Sequence, residues 1–265
     1  MRVTCAVVVC LAFGCGKTPE APRDLEQLSH DVYADYDDPI ALAADIAELL
    51  PIVVDLVDTE EAAEGFRLTD LTADEVDGVE RPDRDLALLL GAAVLARSSH
   101  PPSAHGSSAL DASQVWNDPT TYNQYDREIL RGDPDSFADG VGRIATENTI
   151  EKKGAFGVTV PYVLLKDYQW VATEAGAAMV ARSWVEERGC NDGGGNCLEA
   201  SFSLEFYLPD PDDDSGTLRA TATWIDLVTG ADAILSEEQS IGFLVSGIHD
   251  IFANTDAHLA GTLEY

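Results

Sequence analysis

The chain has 265 residues, with 48 Asp and Glu against 16 Lys and Arg, a formal net charge of −32 and 45% hydrophobic residues. That length and apolar content can bury a core without a dense set of crosslinks. The charge repels phosphate backbones. It therefore excludes nucleic-acid binding through phosphate neutralisation and attachment to anionic membrane through a basic face, and reads instead as a solubilising surface of the kind also met in proteins from saline habitats.

At the N-terminus an apolar run over residues 3–13 follows Arg2. It is too short to span a bilayer, which takes ~20 residues, and has the length of a secretory leader's apolar segment. Gly14 precedes Cys15, Gly16 follows it, and the chain then turns polar through Pro19 and Pro22. This stretch resembles a bacterial lipoprotein leader, in which an aliphatic residue and two small residues precede a lipidated cysteine. Gly14 fits that pattern; Ala12 and Phe13 occupy the two places before it, and Leu11 stands one place early. The resemblance covers about the first sixteen residues and implies a signal peptide over 1–14, lipidation (palmitate among the acyl chains) at Cys15, and a chain tethered to a membrane of the bacterial cell envelope on its periplasmic or surface face. The alternatives are a cleaved leader without lipid and an uncleaved or mis-started N-terminus. Cys5 and Cys10 lie inside the leader.

Residues 15–36 read as the lipidated cysteine and a polar tether, too acidic to bury although Tyr33 and Tyr36 could dock. A helix is expected from Asp38, a capping residue, and Pro39, suited to the first helical position, with Pro51 kinking or splitting it. Thr72 and Glu75 form a capping box for a short helix. "RPDRDLALLLGAAVLARSS" predicts another helix, with Leu86, Leu89, Leu90, Ala93 and Val94 on one side. Residues 99–125 read as loop, and "YDREILRG" and "PDSFADGVGRIATENTIEKKG" as two further helical pieces. Residues 37–153 are thus expected to be mainly helical.

The period changes in residues 154–265. "CLEASFSLEFYLP" puts Leu198, Ala200, Phe202, Leu204, Phe206 and Leu208 on one face, and Glu199, Ser201, Ser203, Glu205 and Tyr207 on the other, as a half-buried antiparallel strand does. "FGVTVPYVLL", "YQWVAT", "AAMVARSWVEERG" and "TLRATATWIDLV" fit as its companions. Cys190 and Cys197 bracket "NDGGGN", a loop that can bring two strand ends to disulfide distance. A metal pair would use closer spacing and a second pair of ligands, and a reduced pair is expected if the chain is not exported. Ser236 and Gln239 form a capping box for a last helix, whose stripe of Ile241, Leu244, Val245, Ile248, Ile251 and Phe252 should pack on the sheet's apolar face. The fold class is α+β: a mainly helical N-terminal region, then an antiparallel β-meander closed by a C-terminal helix.

Candidate chemistry is sparse. The acidic run at 210–216 has its glycine one place late for a calcium loop and reads as a hairpin turn. Ser246, His249 and Asp250 sit too close together on one helix to act as nucleophile, base and orienter. No phosphate-binding, dinucleotide or zinc-protease motif occurs, so no cofactor, metal site or catalytic residue is assigned. Trp116, Tyr122 and Tyr125 stand in a loop either as a recognition platform or tucked into the core. The leading expectation is a membrane-tethered envelope lipoprotein, held through its lipid anchor, with a structural or partner-binding role. The alternatives are a carrier of an apolar small ligand held between sheet and C-terminal helix, as in helix-grip folds, and a hydrolase with a dispersed active site.

Overall fold

A computed structural model describes residues 17–153, 159–228 and 236–263. Cys15 and the leader lie outside the described residues.

Helix α1 (Arg23–Ala34) and helix α2 (Pro39–Leu56) form an antiparallel pair, followed by the short α3 (Glu60–Glu64). α1 occupies most of the stretch read as a tether, which corrects that expectation. Its acids Asp24, exposed, and Glu26, half-buried and accepting from the Thr69 amide, stay out of the core, while Leu25, Leu28, Val32 and Tyr33, at helical spacing, are buried. Asp38 caps α2 by accepting from the Ile40 and Ala41 amides, with Pro39 in its first turn. The helix runs on through Pro51 without splitting. Residues 73–78 form turns rather than a helix, although Glu75 does accept from the Thr72 amide, as a capping box would require.

The remaining elements are strands β1 (Phe66–Leu68), β2 (Leu90–Ser98), β3 (Tyr122–Arg131), β4 (Arg143–Lys153), β5 (Thr159–Thr173), β6 (Gly176–Trp184), β7 (Gly189–Cys190), β8 (Cys197–Pro209) and β9 (Thr217–Val228) and helices α4 (Pro102–Ser108), α5 (Pro134–Ala138) and α6 (Glu237–Leu259). All the strands join one antiparallel sheet in the order β1-β2-β9-β8-β6-β5-β4-β3, with β7 paired to the start of β8. The α+β class stands, with helices leading and α6 closing the sheet.

Three segments read as helix are strands. β2 is buried on both faces, so its near-continuous apolar run carries no period-2 signature, and a short buried strand cannot be told from a buried helix by pattern alone. Gly91 marks the difference: a Cβ there would sit 2.8 Å from the Leu68 carbonyl oxygen and 2.9 Å from the Trp224 ring, so the residue permits close strand and side-chain approach. β3 and β4 form a hairpin around α5, and Gly132 turns the chain out of β3 at φ +100°. Only the short α5 remains of the helical pieces expected there.

The sheet is covered on both faces. The apolar side of β8 and β9 (Phe202, Leu204, Phe206, Leu208, Leu218, Ala222 and Trp224) packs under α1 and α2 through Leu28, Tyr33, Leu42, Ile46, Leu49 and Val53. α6 lies on the other side, resting Ile241, Val245, Ile248 and Phe252 on Ala92 and Val94 of β2. Its capping box and buried stripe are as expected; its placement on the apolar face is corrected, because α1 and α2 already fill that face.

Candidate functional site

Between α6 and the second face of the sheet lies a cavity of about 190 Å³. Its floor is built from the alternate residues of β8 and β9 that point away from the α1/α2 core: Ser201, Ser203, Glu205 and Tyr207, paired with Ile225, Thr223, Thr221 and Arg219. β5 adds Tyr162, Leu164, Lys166 and Tyr168, and β3 adds Tyr122, Tyr125 and Arg127. α6 supplies the roof through Leu244, Ile248, Ile251, Phe252 and Thr255; α4 and the helical turn Val115–Asn117 close one end with His105, Ser108 and Trp116.

The lining changes character along the strands. Where β9 ends and α6 begins, Ile225, Leu164, Leu198, Leu244 and Ile248 make it apolar. Toward the start of β9 and the end of α6 it becomes polar and charged. Lys166 Nζ donates to Glu205 Oε1 at 2.5 Å and stands 5.0 Å from the centre of the Tyr168 ring, and the Tyr207 hydroxyl donates to Glu205 Oε2 at 2.9 Å. Burial works against both charges, yet each partner outweighs it. Glu205's carboxylate holds Lys166 above the usual lysine range, and Lys166 and Tyr207 hold Glu205 below the usual carboxylate range.

Arg127 reaches in from β3 and is 8% exposed. Its Nε donates to Asn148 Oδ1 at 2.7 Å and its Nη1 to the Ala109 carbonyl at 2.6 Å; its guanidinium carbon lies 5.3 Å from the Tyr168 ring centre. Arg219 donates to Asp256 Oδ2 at 2.9 Å and to the Phe252 carbonyl at 3.1 Å, so it fastens the sheet to α6.

Asp256 also accepts from Ser98 Oγ at 2.6 Å, and His105 Nε2 lies 3.1 Å from the same Ser98 oxygen. Since the serine proton goes to the carboxylate, the His105 contact requires an Nε2–H donor. Burial, with Arg219 and His100 nearby, pushes the His105 pKa down to about 3, so the ring is neutral. This order leaves Ser98 with no imidazole lone pair to take its proton, unlike a nucleophilic serine.

The residues singled out in the sequence fall in different places. Cys190 and Cys197 face each other across β7 and β8 and are joined as a disulfide, with Cα atoms 4.1 Å apart. Trp116, Tyr122 and Tyr125 form part of the cavity wall, and Trp116 stacks on His258 with centroids 4.3 Å apart. The run at 210–216 is the β8–β9 turn, where Asp210 is buried and paired with Arg97. His249 turns to the backbone of Ala63 rather than forming a triad with its neighbours. Arg127, Lys166 and His105 belong to no motif in the sequence, and Glu205 stands out there only as part of the polar face of its strand. The available signal was a basic residue at an alternating strand position in a base-poor chain, as in "YDREILR" and "VLLKDYQW".

No protein-family model matches the chain, and no curated protein sequence does. Among solved structures, the fold is similar to a STAR-related lipid transfer protein fragment from Xanthomonas axonopodis at 10% identity, covering 65% of this chain and 87% of that one, with a TM-score of 0.46. It is similar to a protein of Thermus thermophilus at 13% identity, covering 66% and 99%, TM-score 0.42. A conserved protein from Geobacillus kaustophilus aligns at 10% identity over 65% and 95%, TM-score 0.38. At such scores these likenesses carry no functional conclusion, which rests on the chemistry of the cavity.

Proposed function

We propose that the protein binds and carries a small amphiphile, and that it does so while tethered to a bacterial membrane through a lipid on Cys15. One observation carries the binding reading: the sheet turns a row of hydroxyls, a carboxylate and cationic groups toward α6 and leaves a cavity over them instead of packing. Ligand sites combine an apolar wall with a few convergent polar groups in this way. The size bounds the ligand. A cavity of ~150 Å³ takes a benzene-sized molecule, so about 190 Å³ suits one ring or a single short chain.

The tether rests on the leader pattern around Cys15, and a disulfide at Cys190–Cys197 is compatible with export to an oxidising compartment. The first described residues support a particular placement. The Thr18 amide donates to Glu238 at the start of α6, and Arg67, beside this segment, pairs with Glu237. A tether that reaches the fold through Thr18 holds the start of α6, and with it the apolar end of the cavity, toward the membrane.

Thermal unfolding with increasing octan-1-ol or octanoate tests the binding reading. The midpoint should rise with ligand concentration, and Ser203→Phe, which fills the floor, should abolish the rise. A midpoint that neither compound moves, together with a native mass spectrum free of bound material, would overturn it.

A further inference from the structure

The lining of the cavity inverts the charge of the protein. Acids outnumber bases 48 to 16 over the whole chain, yet the cavity is lined by three cationic side chains, Arg127, Lys166 and Arg219, and one carboxylate, Glu205. Two of the three cations are matched, Lys166 by Glu205 and Arg219 by Asp256. Among the described residues Arg127 has no carboxylate at ion-pair distance; its hydrogen bonds go to an amide oxygen, a backbone carbonyl and the Tyr125 side chain, and Glu205, which acts on it only from further off, is already paired with Lys166. Those bonds leave part of the five-donor guanidinium fork unused, and the rings of Tyr125 and Tyr168 stand beside it. Burying a cation with no counter-charge in contact is costly, and a chain with three acids for every base had ample means to supply one.

We propose that Arg127 is the receptor for the anionic head of the ligand, so that the carried amphiphile is a small carboxylic acid, with its apolar part directed along Leu164, Ile225 and Ile248. The inference rests on the carrier reading above. It also runs against the exterior. At −32 the surface repels a free anion at long range, while salt screens that repulsion beyond ~8–10 Å. Preference for an anion must therefore come from inside the cavity, and uptake of the anion should speed up with added NaCl.

The test is calorimetric titration of the full chain with three probes of one shape, octanoate, octan-1-ol and octylammonium, at neutral pH and about 0.15 M NaCl. Octanoate should bind one to one and roughly 10- to 100-fold more tightly than octan-1-ol, as a charge-assisted hydrogen bond in a buried site provides. Arg127→Gln should bring octanoate down to the level of octan-1-ol and leave octan-1-ol unchanged. Arg127→Lys, which keeps a cation at this position without the guanidinium fork, should retain part of the octanoate preference, and keeps the test open if Arg127→Gln does not fold. Octan-1-ol binding as well as octanoate, octylammonium binding best of the three, or a preference that survives Arg127→Gln would each overturn the anion receptor and leave the carrier reading standing. Binding of none of the three would overturn both.

Discussion

The two faces of the sheet are made by the same strands and behave as different materials. On β8, Phe202, Leu204, Phe206 and Leu208 enter the layer under α1 and α2 and are essentially inaccessible, whereas Ser201, Ser203, Glu205 and Tyr207 between them line the cavity and are partly accessible. β9 divides its side chains in the same way, with Leu218, Ala222 and Trp224 in the packed layer and Thr221, Thr223 and Ile225 toward the cavity, although of these three only Ile225 is partly accessible. Side chains one residue apart are thus divided between a close-packed interior and a lined space. The first face holds the fold together; the second is free to be specified by what it contacts.

The largest expected effect breaks the packed face. Phe202 is 1% exposed and takes the edge of Tyr33 with ring centroids 6.0 Å apart. Phe202→Ala removes that ring from a core that can close only partly around the gap, and should cost about 3–5 kcal/mol. Denaturant unfolding monitored by far-UV circular dichroism measures it. A loss below about 1 kcal/mol would mean that this face is not close-packed and that the contrast is false.

The sequence carried one half of this contrast clearly. The alternation of β8, the capping box at Ser236 and the Asp38–Pro39 start of α2 are local signals, set within a few residues, and each has its counterpart in the structure. What occupies each face is set by distant segments. α1 was hidden because its net acidity suggested solvent, although Leu25, Leu28 and Val32 carried the helical stripe. The cavity was hidden for a related reason: serine, threonine and glutamate at alternate strand positions read as a solvated face whether water or a ligand space lies opposite. Arg127 and Lys166 stood out only through the scarcity of bases around them. β2 was misread because burial on both faces erases the alternation that marks a strand.

An intermediate effect sharpens the description of the cavity face through pH. His105 closes one end of the cavity, and its folded pKa of about 3 lies below its unfolded value, which is ~6.5. The unfolded chain therefore takes up a proton that the folded chain refuses. The stability contributed by the neutral ring is complete above pH ~6.5 and is lost as the pH falls from there toward 3. Between pH 7 and pH 5 this group accounts for about 2 kcal/mol. His105→Gln removes that contribution, so its loss of stability over the same interval should be smaller than that of the wild type by about that amount. Equal losses in the two proteins would mean that His105 takes up its proton in the folded state as readily as in the unfolded one, and that this end of the cavity is open to water.

The smallest effect decides whether the second face is a lined space at all. Ser203 stands in the middle of the floor, where its hydroxyl shares a 2.6 Å hydrogen bond with Ser183. In a close-packed core, Ser203→Ala would strand the Ser183 hydroxyl and cost its full desolvation, about 1–3 kcal/mol. Beside a cavity, water or ligand can replace the missing partner, so the change in stability should stay under about 1 kcal/mol, only one residue away from the large loss at Phe202. The same variant should change octanoate affinity measurably, because the lost hydroxyl lies where a bound molecule would sit. Stability and affinity then separate at adjacent positions of one strand. If Ser203→Ala instead costs stability on the scale of Phe202→Ala and leaves binding untouched, the floor is structural core, and the site for a ligand has to be sought on another surface.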